Sequence, residues 1–116
     1  MKYSIIIFMK RSEFCIVITT TDDQEHARFL ARSLLDARLA ACVQIEPIES
    51  LYRWEGTIQS AREYRLQIKT LRALYEKIES MILTQHPYET PEILLLPTEG
   101  GLERYLEWIR TECPLD

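Results

Sequence analysis

Leu39–Gly56 reads LAACVQIEPIESLYRWEG, and its reading decides the fold. Two small residues, Ala40 and Ala41, follow a helix-like stretch. Val43 and Ile45 then alternate with Gln44 and Glu46, the period of two that marks a half-buried strand. Pro47 has no N–H to give to a ladder, so it predicts a sheet edge or a bulge. The apolar phase changes there, from odd positions (Val43, Ile45) to even ones (Ile48, Tyr52, Trp54). In a strand that change predicts a switch of face through a bulge or kink. Glu55-Gly56 supplies the turn. The aromatic second half is longer than one small sheet needs. A protruding ribbon of this kind needs a partner, with Tyr52 and Trp54 as its interface anchors.

Upstream, Phe14–Thr19 (FCIVIT) is a β-branched apolar run, read as a strand buried on both faces. Thr21 and Gln24 match a capping box, and Ala27, Leu30, Ala31, Leu34 and Leu35 form a helical stripe over about 22–37. Downstream of the turn, residues 63–69 alternate without a fault. Thr70 is the expected cap of a second helix, striped by Leu71, Leu74, Tyr75, Ile78 and Ile82 and ended by His86-Pro87. Pro87 and Pro91 bracket a stiff connector, HPYETP. Residues 92–96 make a fourth strand closed by Pro97, and Gly100-Gly101 opens a third helix carrying Leu102, Tyr105, Leu106 and Ile109.

The order β-α-β-β-α-β-α predicts an α/β (α+β) fold: a ferredoxin-like split β-α-β sandwich with an extended hairpin and a C-terminal helix. Right-handed crossovers put the first two helices on one face of an antiparallel sheet. FCIVIT and ILLL are nevertheless apolar at odd and even positions alike. The second face therefore calls for a cover, partly the third helix and otherwise another subunit, which predicts a homo-oligomer.

The chain has 116 residues, enough for one core, with a net charge of −4 that argues against a nucleic-acid partner. Cys15, Cys42 and Cys113 are odd in number and widely spaced, which fits reduced thiols in the cytoplasm better than disulfides. The run at 1–9 is too short for a membrane span or a signal core. Residues 1–13 read as an N-terminal extension, in the manner of an extra edge strand or an upstream start, and 14–112 as the domain.

Chemistry-bearing side chains are few. Cys42 is a soft ligand and His86 a borderline one, a pair suited to copper or zinc if the fold brings them together. A buried small residue is the favoured account of Cys42, and a helix C-terminal imidazole accounts for His86 about as well as a polar-site role. Tyr88 and Glu89 crowd beside His86, and Glu89 and Glu92 offer carboxylates from a rigid connector. Glu63 and Lys69 share one face of a strand, as a salt bridge or as a ligand-facing pair in a subunit crevice. Tyr52 and Trp54 could also stack on a small ligand. His26 is expected on a solvated face, and Tyr105 and Leu106 in the core. With three glycines and two histidines, no phosphate loop, dinucleotide fingerprint, nucleophile elbow or H-E-x-x-H can be written, so an enzyme is not expected.

LAACVQ, SLYRWEG, the Glu63…Lys69-Thr70 strand end, HPYETPEILLLP and YLEW, in this order and spacing, resemble the CutA family of divalent-ion tolerance proteins. The resemblance covers about 14–110. It implies the ferredoxin-like sandwich, a tight homotrimer in which long hairpins wrap onto neighbours, and a link to copper and other divalent metals with no defined reaction. It also implies a likeness to PII signalling proteins, so that small-molecule sensing between subunits stands as the alternative function. Some members proposed to bind copper carry a Cys late in the first strand and a His-His pair before Pro-Tyr. Thr19 and Gln85-His86 stand there in this chain, Thr21-Asp22 stand where the family's common turn has a Pro, and Gln44 replaces the usual Asn. Copper or another divalent metal is therefore expected to bind weakly, through His86, Cys42 and Glu89.

Overall fold

The computed structural model describes residues 12–115. Strand β1 (Phe14–Thr21) leads into helix α1 (Gln24–Asp36). Strands β2 (Cys42–Trp54) and β3 (Thr57–Leu71) form the long hairpin, and a 3-10 turn at Arg72–Leu74 opens helix α2 (Tyr75–Gln85). Strand β4 (Ile93–Thr98) and helix α3 (Glu103–Glu112) complete the chain. The sheet is antiparallel in the order β2-β3-β1-β4, with α1 and α2 packed on one face, as the ferredoxin-like reading requires.

The core follows from strand parity. Val17, Leu66 and Ile68 point to the helix face and meet Leu30 and Leu34 of α1 and Ile78 and Ile82 of α2, all fully buried. Fully burying such side chains contributes roughly 1.5–3 kcal/mol each by transfer. The opposite face carries Ile16 and Ile18 of β1 beside Leu94 and Leu96 of β4, and those two leucines are 53% and 41% exposed. Helix α3 lies over one end of the sheet: Tyr105 approaches Lys69, Arg110 stacks on Phe14 and ion-pairs with Glu13, and Glu112 pairs with Arg38. The apolar outer face next to β4 thus has no cover from the described residues.

The ribbon corrects the expectation of a bulge at Pro47. The β2–β3 register runs without interruption from Cys42↔Lys69 through Pro47↔Tyr64 to Trp54↔Thr57. No side chain changes face. The apolar pattern switches because the covered face switches: the root of the hairpin lies under the helices, whereas its distal half has left them behind. Pro47 is tolerated because β2 is an edge strand and its outer side needs no donor. Glu55 (φ 49°) and Gly56 (φ 82°) make the two-residue turn with both φ positive, the geometry whose twist suits a hairpin.

Other local expectations are also corrected. Asp23, not Thr21, caps α1, its carboxylate accepting the Glu25 N–H at 3.1 Å. Thr21 is still in β1. Thr70 does not cap α2; its hydroxyl donates to the Leu39 carbonyl at 2.6 Å and ties β3 to the start of β2. Pro97 lies inside β4, again on an edge strand. The third helix begins at Glu103, with Leu102 exposed. Leu106 is buried as expected, but Tyr105 is 38% exposed, its ring used on Lys69 rather than in the core. The reading of 1–13 as an extension falls largely outside the described residues.

Candidate functional site

The hairpin register determines which side chains meet. Ile48, Ser50, Tyr52 and Trp54 of β2 share the outer face with Glu63 and Arg65 of β3 and Thr20 of β1. The connector from α2 to β4 comes round the end of β1 and adds Tyr88, Glu89, Thr90 and Glu92. Together they line an open cleft of about 1080 Å³. Six of the residues singled out from sequence meet there: Tyr52, Trp54, Glu63, Tyr88, Glu89 and Glu92.

The cleft is electronegative. Glu49, Glu63, Glu89 and Glu92 line it, and Arg65 is its one lining cation. Arg65 is already committed to Glu46, at 2.8 Å, and Gln67 donates to the same carboxylate oxygen. Those hydrogen bonds, the one from Arg65 first, hold the Glu46 carboxyl below its ordinary range. The Tyr88 hydroxyl donates to Glu63 at 3.3 Å. Burial, then the nearby charges of Asp22 and Glu63, push that hydroxyl up to about 12, so it remains a donor throughout the neutral range.

Behind the cleft wall sits a pair of histidines. His86 ends α2, and its ring Nε2 lies 2.6 Å from the Thr20 carbonyl, while its Nδ1 lies 3.1 Å from the Tyr88 backbone nitrogen. A carbonyl can only accept and a backbone N–H only donate, so His86 is the neutral Nε2–H tautomer. For His26 the Gln85 carbonyl at 2.9 Å fixes Nε2–H as a donor, while Nδ1 lies 2.9 Å from the Thr21 hydroxyl, which can serve as donor or acceptor. The two rings meet edge to face at 5.5 Å, and the Tyr88 ring lies 4.6 Å from His86. His26 is therefore a bridge between α1, β1 and α2, not the solvated residue its helical position suggested. The Thr19 hydroxyl and the Gln85 side-chain oxygen are buried without a partner among the described residues.

The three expected metal ligands are not assembled by one chain. Cys42 pairs with Lys69, which pairs with Ile16, whereas His86 binds at Thr20, so roughly 13 Å of strand and two interstrand spacings separate them. Both His86 nitrogens are engaged, and a metal would have to displace the Tyr88 N–H. Glu89 is close in sequence but exposed. Among the described residues no three His, Cys, Asp or Glu side chains converge as a metal-binding group. A single subunit's donor set therefore does not fit a closed metal centre. Lys69 and Glu63 share a face as expected but stand six residues apart, roughly 20 Å, and Lys69 faces Tyr105 instead of the cleft.

Thr20, Ile48, Glu49, Arg65 and His26 were not among the sequence candidates. Ile48, Glu49 and Arg65 were within reach, because a two-residue turn at 55–56 fixes the pairing of Ile48 with Glu63 and of Glu46 with Arg65, whereas Thr20 joins them only through the β1–β3 register. His26 had no local signal, since its partners are 5 and 59 residues away.

Comparison with known proteins agrees with this architecture. The family profile described as "CutA1 divalent ion tolerance protein" matches residues 15–112. The divalent-cation tolerance protein CutA of Thermus thermophilus is 40% identical over 96 residues, 82% of this chain and 93% of that protein. The chloroplastic protein CutA of Arabidopsis thaliana is 43% identical over 96 residues, again 82% of this chain, but the match spans only 53% of the plant protein. Among solved structures, CutA1 from the psychrotrophic bacterium Shewanella sp. SIB1 superposes with a TM-score of 0.88 at 39% identity, over 91% of this chain and 100% of that one. The periplasmic divalent cation tolerance protein CutA of Archaeoglobus fulgidus gives 0.85 at 35%, over 86% and 98%. None of these names specifies a reaction. With sheet order, hairpin and connector in agreement with the profile and the superpositions, the chain belongs to the CutA1 divalent ion tolerance family.

Proposed function

We propose that this protein is a non-enzymatic homotrimer that contributes to divalent-metal tolerance. It meets its metal, copper or another divalent ion, weakly at the boundaries between subunits. The observation that carries the reading is the electronegative cleft at the base of an exposed apolar ribbon. Leu51, Tyr52, Trp54 and Ile58 on the hairpin are 45–67% exposed, and Leu94 and Leu96 on the far edge add to them. Apolar surface of that extent on a monomer marks an interface, and a trimer in which each hairpin lies on a neighbour covers it. Glu89 at the cleft mouth is the carboxylate donor. His86 joins only by giving up the Tyr88 N–H, and Cys42 only across a subunit boundary. Oxygen-rich, incomplete donor sets bind loosely, and their preference follows the general order with copper above zinc and both above manganese. Thiols without a disulfide framework fit a reducing compartment such as the cytoplasm, although relatives are named chloroplastic and periplasmic. No helix of the described residues is long and apolar enough to cross a membrane.

The test pairs sedimentation with calorimetric titration of copper and zinc salts. The expected result is a trimer at micromolar concentration with a dissociation constant no tighter than about 1 μM, or −8 kcal/mol. His86→Ala should weaken binding more than Cys42→Ser, because His86 also positions the segment that carries Glu89. A stable monomer would overturn the assembly. The absence of binding at millimolar metal would overturn the metal role.

A further inference from the structure

We infer that His86 is a positioning residue and not a ligand: with His26 it forms a latch that fixes the connector from α2 to β4 against the end of β1, and its ring stays in that latch when divalent metal is present. The connector needs such a device. Residues 87–92 belong to no helix or strand, and most of them are exposed. Among the described residues their hydrogen bonds are two, from the Tyr88 N–H to His86 Nδ1 at 3.1 Å and from the Tyr88 hydroxyl to Glu63 at 3.3 Å. Pro87 and Pro91 have no N–H to add, and they stiffen the segment. What holds Tyr88 therefore also sets where Glu89 and Glu92 stand.

The latch is built where a ladder stops. β4 pairs with β1 only as far as Thr19, opposite Ile93. Beyond it the Thr20 carbonyl has no strand on that side, and the His86 Nε2–H fills the place at 2.6 Å. With Nε2–H donating and Nδ1 accepting from the Tyr88 amide, the ring has no lone pair left. His26 backs it from α1: its Nε2–H donates at 2.9 Å to the carbonyl of Gln85, the residue before His86, and the two rings meet edge to face at 5.5 Å. The Tyr88 ring lies 4.6 Å from His86. Ligation through Nδ1 requires the lone pair that holds the Tyr88 amide and strands that N–H. Nothing offsets the loss, because zinc sites take three or four protein donors and among the described residues no three His, Cys, Asp or Glu converge. Every partner in the latch belongs to one chain. It does not wait on assembly, and it stands whether or not the protein takes part in metal tolerance.

The experiment follows the imidazole nitrogens and the Tyr88 amide by NMR in the full chain, alone and with zinc chloride raised to millimolar concentration. Without metal, His86 should show a protonated Nε2 and an unprotonated Nδ1, and zinc should leave that pattern in place. His86→Asn removes the imidazole but keeps an acceptor two residues before the Tyr88 N–H, as in an Asx turn. It should retain slow exchange at Tyr88, whereas His86→Gln and His86→Ala should exchange about tenfold faster, the factor expected for one lost hydrogen bond. His26→Ala should speed the same amide, although His26 makes no hydrogen bond to it. In a calorimetric zinc titration His86→Asn should match the wild type. A protonated Nδ1 in the metal-free protein would overturn the latch, as would equal exchange in His86→Asn and His86→Ala. A zinc-induced shift of the His86 ring nitrogens with release of the Tyr88 amide would make the ring a ligand and overturn the inference too. Absence of zinc binding would count against the metal role alone, and the ring pattern and exchange rates would still decide this inference.

Discussion

Replacing His86 with alanine should destabilise the protein by about 2–4 kcal/mol, a large effect for a half-buried residue at the end of a helix. Four interactions are lost together. The Nε2–H bond to the Thr20 carbonyl is short, 2.6 Å, and the Tyr88 N–H loses its acceptor at 3.1 Å. Each such bond contributes about 0.5–1.5 kcal/mol net, and more where the stranded partner stays shielded from water. The edge-to-face contact with His26 and the packing of the Tyr88 ring add about 0.5–1.5 kcal/mol. His26→Ala should cost a similar amount, because it unties Thr21 from Gln85. As the rings touch, the double variant should lose less than the sum, with a coupling of about 0.5–1 kcal/mol. Denaturant unfolding at fixed protein concentration gives all four corners of the cycle, the fixed concentration being required because the proposed assembly would contribute to stability. Hydrogen exchange should show the Tyr88 amide opening faster in His86→Ala. A loss below about 0.5 kcal/mol, the level of an ordinary surface change, would refute the reasoning, as would unaltered exchange at Tyr88.

Further outcomes are expected elsewhere in the molecule. Leu34→Ala, at a fully buried site between α1 and the sheet, should cost about 2–5 kcal/mol through transfer and cavity terms, while Arg38→Ala, which removes an exposed pair with Glu112, should cost under about 1 kcal/mol; equal losses would put the wrong face of α1 inward. Trp54→Ala should loosen the proposed trimer by about 2 kcal/mol or more, seen as dissociation on dilution in the centrifuge, and unchanged assembly would remove Trp54 from the interface. Glu55→Asn should stabilise by a few tenths to about 1 kcal/mol, because asparagine tolerates positive φ better at the hairpin turn, and a loss of stability would contradict the turn geometry. Burial pushes the Cys15 thiol from 9.0 to about 11, so the folded state holds this proton more tightly than the unfolded state. Stability from this group is complete below pH 9 and is lost as pH rises through 11; a pH-stability curve of Cys15→Ala should be flatter across that window, and an unchanged slope would show that the thiol does not contribute.

Residue order settled the architecture before any coordinates, because secondary structure here is written in local periodicity. Val43/Ile45 and the faultless alternation of 63–69 read as strands, Leu30/Leu34 and Ile78/Ile82 read as helix faces, and the connection order leaves few topologies. The doubly apolar β1 and β4 already announced an outer face with a cover to find. What the sequence could not settle was every contact made at a distance. Thr21 and Thr70 looked like helix caps because capping is a local pattern, but their hydroxyls bind His26 and Leu39 instead. The change of apolar phase at Pro47 looked like a change of side-chain direction. Only the packed helices reveal that the side chains keep their direction and the covering changes. Cys42 and His86 are both good ligands by chemistry, and only the strand register shows that one chain holds them apart. Periodicity reports which face of an element is buried, since it arises from the element's own geometry. What buries that face, and which side chains of distant elements meet there, is set by how the elements stack, and that is where the cleft and the two histidines were decided.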